Sequence, residues 1–499
     1  MIVCKNYICM WTRNMGGTVI FYVLLLWLLS GCSITQDYRR PQVDIEYSCH
    51  VDYIEAADLA NLAWWECFQD PVLNELIEIA LKENKDLILA SARVEEFVFR
   101  LKGEKSVFYP QLDYWTLTSR DSQSLERRNQ ALATSKDRVN ASYQNYLNVN
   151  WELDIWGRIR RSTEAARAEL LSQKESRQAV ILSLVSQVAT AYIDLLNLDK
   201  QLEISKKTLA LREQWLQLFE NKFKGGQVSN LELVQARSAF EQLSVNIPQL
   251  ELRIALQENT LSVLLGRGPG KIKRGKKLDM LVIPEVPQGI PSDLLEQRPD
   301  IRQSEQNLIA ANARVGVAKT QYFPSISLSG LFGYASLELS NLMRSAAEIW
   351  RSGVAIAGPV FSGGRIKGEI RQAEAVRQQL VNKYLITIQN AFREVDDSLI
   401  TIQKLKELIV IQDRLVSVLE DYESSSRSRY DGGYSSYLVV QDAQRELYSA
   451  EIKYAQIQKD LFAAIVSIYK ALGGGWVTEA AQKINTSKLM ITQEEQNKM

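Results

Sequence analysis

The stretch FKGGQVSNLELVQA at residues 223–236 recurs as YDGGYSSYLVVQDA at residues 430–443, an offset of 207 residues. Positions that match in residue type are Phe223/Tyr430, Gly225/Gly432, Gly226/Gly433, Ser229/Ser436, Leu231/Leu438 and Ala236/Ala443. The same offset relates Gly157-Arg158-Ile159 to Gly364-Arg365-Ile366 and Leu265-Gly266 to Leu472-Gly473. Self-similarity at a fixed spacing is the signature of structural repeats, so the sequence predicts two copies of one unit.

The repeats divide the chain. The Gly-, Pro- and Lys-rich composition between the copies is typical of a connector. The predicted segments are a first repeat at 70–266, a connector at 267–290, a second repeat at 291–473 and a C-terminal tail at 474–499.

Each repeat contains a very long helix. Residues 158–224 lack both Gly and Pro, and 365–431 lack them after Gly368. At 1.5 Å per residue, each would be a helix of about 100 Å. The Gly-Gly pair that follows allows a sharp reversal, and Ser229 with Glu232 forms a capping box, a role that Ser436 could fill in the second copy. Shorter helices precede the hairpins, and return helices follow at 227–265 and 434–472.

Between the short and the long helix, the hydrophobic period changes from 3.6 to 2. Apolar and polar residues alternate in Leu147–Leu153 and within the two predicted β-hairpins, 111–154 and 325–361. Strands of about ten alternating residues suit a membrane β-barrel, although a soluble two-sheet packing is an alternative. Four strands leave open edges that lipid does not tolerate. Two chains would give a filled barrel and three chains a twelve-stranded barrel, which favours a trimer if the protein is a conduit.

The first 31 residues are expected to be a signal peptide, because an apolar run of signal-peptide length follows Lys5 and Arg13. The run ends in Leu29-Ser30-Gly31-Cys32, which resembles a bacterial lipobox. That resemblance implies diacylglycerol and N-acyl lipid on Cys32, at the start of an extended segment 32–69. Ser33 fits outer-membrane sorting. The alternative is an ordinary signal peptide with a chance cysteine. Cys49 and Cys67 could form a disulfide, which the sequence leaves open.

Composition excludes several function classes. The net charge is zero, whereas nucleic-acid binding needs a basic surface. One histidine, His50, is too few for a multi-histidine metal site or a His-based triad. We therefore expect no enzyme activity, no metal and no cofactor apart from the covalent lipid. No uninterrupted apolar run reaches the length of a membrane helix after the leader, so any membrane-spanning part would consist of β-strands.

The chain resembles the TolC-type outer membrane factor family, in its lipoprotein branch. The motifs that carry the resemblance are Cys32, Tyr38-Arg39-Arg40-Pro41, Trp64-Trp65-x-x-Phe68-x-Asp70-Pro71-x-Leu73, Pro110 and Pro324, Leu295-x-x-Arg298-Pro299-Asp300-Ile301, Gly358-Pro359-x-Phe361-x-Gly363-Gly364 and Arg429-Tyr430-x-x-Gly433-x-x-x-Tyr437-Leu438-x-x-x-Asp442-Ala443-Gln444-Arg445. The resemblance implies a mainly α fold with a membrane β-barrel. In it, long-helix hairpins form a periplasmic α-barrel, and four strands per chain contribute to a trimeric twelve-stranded barrel.

The resemblance also implies functional residues. The reversals would dock a periplasmic adaptor through Gly225, Gly226, Ser229, Leu231, Gly432, Gly433 and Ser436. A closed periplasmic gate would use Leu438 as an apolar constriction, Asp442 as an acidic ring, and Tyr430 and Arg445 in polar links between helices. Only the second copy supplies the acid, because the first has Gln235 at the position of Asp442. Turn chemistry, helix packing and a solvated carboxylate are the alternative explanations of these residues.

The implied function is the outer membrane exit duct of a tripartite efflux system for drugs or other small toxic compounds. The implied partners are two further copies of the chain, a periplasmic adaptor, an inner-membrane RND-type transporter and outer membrane lipid. The nearest alternative is an exit duct for type I protein secretion, and a second is a coiled-coil lipoprotein tether without a pore.

Overall fold

The computed structural model describes residues 37–41, 63–122, 139–284 and 298–473. The predicted signal peptide, Cys32, Cys49 and the C-terminal tail lie outside these ranges. A short 3₁₀ helix, Trp64–Phe68, precedes the first α-helix. The helices are α1 (Pro71–Glu83), α2 (Lys85–Ser106), α3 (Arg158–Lys224), α4 (Asn230–Ser244), α5 (Asn246–Leu264), α6 (Pro299–Thr320), α7 (Arg365–Asp431) and α8 (Tyr437–Ala471). The strands are β1 (Gln111–Ser122), β2 (Val139–Leu153), β3 (Ser325–Ser336) and β4 (Glu348–Ala357).

The chain divides into two compact units. The strand unit comprises residues 1–42, 95–172 and 305–383, and the helical unit comprises 43–94, 173–304 and 384–499. Helices α3 and α7 are 67 residues each, and their ends coincide with the ends of the predicted long helices.

The strand unit contains one antiparallel sheet in the order β1-β2-β3-β4, so β1 and β4 are its edges. The register places Tyr114, Leu147, Phe332 and Trp350 in one row across all four strands. Residues directly opposite each other share a face of the sheet. The face that holds this row is mainly apolar, and the other face is mainly Ser, Asn, Gln, Gly and Ala. The alternation predicted from sequence is therefore in phase between the strands.

The helical unit has an extended hydrophobic core. The predicted stripe of Ile181, Leu184, Val185, Val188, Tyr192 and Leu195 on α3 is fully buried, as expected. Residues of α7 and α8 pack on it, together with Trp64 of the 3₁₀ helix, whose ring stacks on Tyr469 at a centroid distance of 5.5 Å. One 18-residue stretch of α3 is apolar enough to cross a bilayer, but 67% of it is buried inside the protein, which identifies it as core.

The duplication extends to individual hydrogen bonds. Asn84 donates from Nδ2 to the carbonyl oxygen of Leu264 at 2.8 Å, at the end of α5. Arg298 donates from Nη1 to the carbonyl oxygen of Ala471 at 2.9 Å, at the end of α8. These residues are related by the repeat offsets of 214 and 207. Two different side chains thus satisfy the same otherwise unpaired helix-terminal carbonyl group in each copy.

Two predicted helices of the first copy are interrupted. The return helix 227–265 was expected to be continuous, but it breaks at Val245 into α4 and α5. The cause is Pro248, which cannot donate to the carbonyl of Ser244 and whose ring clashes with it. The helix expected from about Asp70 breaks at Asn84, where the backbone becomes extended and the side-chain oxygen accepts from the amide of Leu87 at 3.0 Å.

The connector is fastened to the helical unit. Arg274 pairs with Asp199 at 2.8 Å and with Glu258, and Lys277 pairs with Glu203 at 3.0 Å. Beneath them, Asp70 is completely buried. It accepts hydrogen bonds from the Tyr192 hydroxyl at 2.9 Å, the amide of Val72 at 2.9 Å and the amide of Lys276 at 3.1 Å.

Candidate gate and docking site

The two helix reversals have the same backbone hydrogen bonds. In the first, the amide of Gln227 donates to the carbonyl of Lys222 and that of Gly226 to Phe223, both at 2.9 Å. In the second, Tyr434 donates to Arg429 at 2.8 Å and Gly433 to Tyr430 at 2.9 Å. This pair of bonds is the Schellman motif that ends many helices. We call residues 223–231 and 430–438 the docking tips.

The two glycines of each tip have different reasons to be glycine. Gly226 has φ +73° and Gly433 has φ +77°, which L-residues with a side chain rarely adopt. Gly225 and Gly432 do not have positive φ. A Cβ atom on Gly432 would lie 2.9 Å from the ring of Tyr434, whereas one on Gly225 would make only ordinary contacts. Only the second glycine of each pair is therefore required by the backbone.

The serine caps differ between the copies. Ser229 forms the predicted capping box with Glu232, whose carboxylate accepts from the Ser229 amide at 2.8 Å. Ser436 is at the N-cap of α8 but makes no capping hydrogen bond, so that prediction is wrong. Within the described residues, the hydroxyl oxygen of the preceding Ser435 is buried without a partner.

Four aromatic rings join the two tips. Trp215 and Phe219 lie one helical turn apart near the end of α3, and Tyr430 and Tyr437 lie on either side of the second reversal. The centroid of Phe219 is 4.4 Å from that of Tyr437 and 6.2 Å from that of Tyr430. Trp215 is 5.3 Å from Tyr437 and 5.5 Å from Tyr430. We call these four rings the aromatic cluster.

Cations surround the aromatic cluster. Lys222 Nζ lies 5.2 Å from the centroid of Tyr430, and the guanidinium of Arg427 lies 5.8 Å from that of Trp215. Both positions are within cation–π range. Arg212 is buried nearby and donates to the carbonyl oxygen of Ala239, and burial lowers its pKa. Burial also raises the pKa of Tyr437 to about 12, so this hydroxyl is neutral at physiological pH.

The predicted gate residues fall into two groups. Asp442 and Arg445 lie on successive turns of α8 and pair with each other at 2.6 Å, and Arg445 also pairs with Glu446 at 3.1 Å. Tyr430 instead lies in the aromatic cluster through ring contacts. Leu438 is 57% exposed at the start of α8. Within one chain, the predicted polar links are therefore a pair along one helix, and any gate ring would need further copies.

Sequence reasoning missed three members of the aromatic cluster: Trp215, Phe219 and Tyr437. The spacing of four between Trp215 and Phe219 places both rings on one face of α3, which was a usable signal. The tips also expose apolar side chains, with Tyr434 80% exposed and Leu231 66% exposed. Exposed apolar groups of this size at a turn are suited to contact with another protein.

The helical unit has two open apolar faces. On α7, Leu408, Ile411, Leu415, Val418 and Tyr422 repeat at spacings of three and four and are all exposed. We call this set the α7 seam. It is displaced by about 100° around the helix axis from the residues of α7 that pack on the core, such as Leu405 and Ile409.

The second open face lies on the return helix of the first copy. On α4 and α5 it consists of Leu231, Val234, Val245, Leu252, Leu256 and Val263, all exposed. Val245 follows the start of α4 by 15 residues, and Leu415 precedes the end of α7 by 16, since 245 − 230 is 15 and 431 − 415 is 16. The two open faces therefore lie at similar distances along their helices from the reversals.

The N-terminal residues 37–41 contact the strand unit. Asp37 pairs with Arg161 at 2.9 Å, and Arg40 pairs with Glu305 at 3.1 Å. Arg161 follows the last residue of β2 by eight positions. Residue 32 is therefore within about 17 Å of Asp37, the reach of five extended residues. In the described part of the chain, no group of His, Cys, Asp and Glu could hold a metal ion.

Comparisons with known proteins cover both repeats. The family model described as outer membrane efflux protein matches residues 76–267 and 290–474. The solvent efflux pump outer membrane protein SrpC of Pseudomonas putida is 34% identical over 460 residues, covering 90% of this chain and 97% of its own. The cation efflux system protein CusC of Escherichia coli O6:H1 is 33% identical over 454 residues, covering 90% and 96%. The open-state crystal structure of the Neisseria gonorrhoeae MtrE outer membrane channel is 28% identical with a TM-score of 0.80, covering 89% and 99%.

Proposed function

The chain belongs to the outer membrane efflux protein family, and from that premise we propose how one copy becomes part of a working duct. It is located in the cell outer membrane and acts as the exit duct of an efflux system. The relatives are channel and transport proteins. The comparisons give no support to the protein-secretion alternative.

Three copies form the duct. The sheet ends in the unpaired edges β1 and β4, and the helical unit has two open apolar faces, on α4–α5 and on the α7 seam. Lipid does not tolerate open sheet edges, and water does not favour the exposed seams. A head-to-tail association seals both kinds of edge at once, with β4 against the next copy's β1 and the α7 seam against the next copy's α4–α5. This pair of open edges is the observation that carries the proposal.

The closed ring then supplies the conduit. Three chains give twelve strands with the mainly apolar sheet face toward lipid and the polar face toward water. In this ring, Leu438 and Asp442 recur three times around the axis. Three carboxylates brought close together repel one another and attract cations, which suits a gate that the partner proteins open.

The partners follow from the exposed surfaces. The apolar side chains of Leu231, Tyr434 and Leu438 at the docking tips provide the contact for a periplasmic adaptor, which links the duct to an inner-membrane RND-type transporter. No covalent chemistry is needed in this chain, because the transporter supplies the energy. Diacylglycerol and N-acyl lipid on Cys32 anchor the chain, and the 37–41 contacts hold the anchored end beside the segment that follows β2.

The cargo class is small toxic compounds. Relatives are named for solvent, toluene, antibiotic and cation efflux. A strain that lacks this chain should become sensitive to at least one of toluene, a hydrophobic antibiotic or copper ions, and the wild-type gene should restore resistance. Tyr434→Asp should leave the protein in the outer membrane but reduce this rescue, whereas Ser417→Glu on the exposed surface of α7 should not. Full resistance without the chain, with loss of a secreted protein instead, would refute the proposal.

Lipidation has its own test. Mass spectrometry of the mature N-terminal peptide should show Cys32 with three acyl chains, and Cys32→Ser should abolish both the lipid and the processing. An unmodified N-terminus at another residue would contradict it.

A further inference from the structure

One row of the polar sheet face is not polar. The register aligns Trp115 on β1 with Tyr146 on β2, Gly333 on β3 and Ile349 on β4. The two adjacent rows contribute Leu117 on one side and Leu331 on the other. Towards the helix-proximal end of this face, the residues are mostly Ser, Asn, Gly and Ala. The apolar side chains are therefore concentrated at one height of the sheet.

These side chains are directed away from the apolar face. Trp115 directly follows Tyr114, and adjacent residues of a strand point to opposite faces. Trp115 is 55% exposed and Leu117 is 48% exposed. Gly333 is fixed as glycine, because a Cβ atom there would lie 2.2 Å from the carbonyl oxygen of Asn145. The row consequently presents one indole, one phenol and one aliphatic side chain per copy.

In a trimeric barrel this row faces the lumen. Twelve strands spaced about 4.8 Å apart and tilted by about 40° enclose a backbone radius of about 12 Å. The indole and phenol rings project into that space. Every solute that leaves the duct passes this height, so the occupant of the surface is the transported solute itself. An apolar patch of this kind inside an otherwise polar wall marks a binding surface.

We propose, on the basis of the proposed function, that Trp115, Tyr146 and Ile349 of three copies form an apolar band that binds uncharged aromatic solutes in transit. Aromatic rings of the solute stack on the indole and phenol rings, in offset or edge-to-face arrangements. The row itself carries no charge, and the nearest charged positions on the same face, Asp113 and Arg351, lie in the adjacent row with Leu331. The band therefore favours uncharged aromatic molecules over polar ones.

The test measures protection of a cysteine beside the band. In intact cells that express the full-length Leu117→Cys variant, a membrane-impermeant maleimide should label residue 117 from outside, above the labelling of the wild-type chain. Indole, the uncharged aromatic probe, should slow this labelling about threefold when two thirds of the bands are occupied. Glycerol at the same concentration should not. Adding Trp115→Ser should abolish the protection, whereas adding Tyr114→Ser, the matched control on the opposite face, should preserve it.

The outcomes separate the band from the duct. Labelling that indole does not slow, or protection that survives Trp115→Ser, overturns the band and leaves the exit-duct function intact. Labelling absent at residue 117 but present in a Tyr114→Cys variant would place the polar face away from water, and would overturn the trimeric barrel and the band together.

Discussion

Replacing Ile411 on the α7 seam with Glu should dissociate the trimer. Ile411 is 54% exposed in the single chain, and full burial of an isoleucine contributes about 1.5–3 kcal/mol. Covering the exposed half contributes about 0.8–1.5 kcal/mol at each interface, or about 2–5 kcal/mol over three symmetric interfaces. Loss of that amount lowers the association constant of the trimer by about 30-fold to several thousandfold. The cost of desolvating the new carboxylate adds to the effect.

The assay is native mass spectrometry of the detergent-purified protein over a range of concentrations. Ile411→Glu should shift the distribution from three chains towards one, while circular dichroism shows that the helices persist. Ser417→Glu is the matched control, because it adds the same charge to the exposed surface of the same helix, about 120° from Ile411 around the axis. An Ile411→Glu protein that remains as trimeric as the control at every concentration would refute the assignment of the α7 seam.

Three further predictions concern the docking tips and the gate. Gly226→Ala should lower the free energy of unfolding by about 1–2 kcal/mol because of its positive φ, and Gly225→Ala should not, as measured by thermal loss of the 222 nm signal; equal effects would contradict the backbone argument. Because burial raises the pKa of Tyr437 to about 12, its stabilising contribution is complete below pH 10 and lost as pH rises from 10 through 12; Tyr437→Phe should flatten this decline, and an unchanged slope would argue against it. Asp442→Ala should raise the closed-state conductance in planar bilayers and also free Arg445 from its 2.6 Å pair, whereas unchanged conductance would count against the gate.

The long elements of the fold could be predicted because their signals are local. Absence of Gly and Pro fixes the ends of α3 and α7, and the Gly-Gly pair fixes the reversals. The break at Val245 was also encoded locally, in Pro248, but the periodicity on both sides of it concealed the interruption. In such cases a backbone effect outweighs a continuous hydrophobic pattern.

The candidate site was less predictable, because its contacts join distant parts of the chain. Trp215 and Tyr437 are separated by more than 200 residues and meet only when the two repeats pack together. Ser436 has the right residue type for a cap, yet its side chain makes no capping bond. The ion pairs that fasten the connector, such as Arg274 with Asp199, likewise depend on the tertiary arrangement. A sequence specifies such residues only through the fold that it produces.

The number of chains in the native assembly tests the central claim most directly. The account requires that the edges β1 and β4 and the two apolar helix faces be sealed by further copies. The mass of the wild-type protein, extracted in detergent and measured by native mass spectrometry, should correspond to three lipidated chains. A folded single chain that stays in solution without detergent would contradict the account.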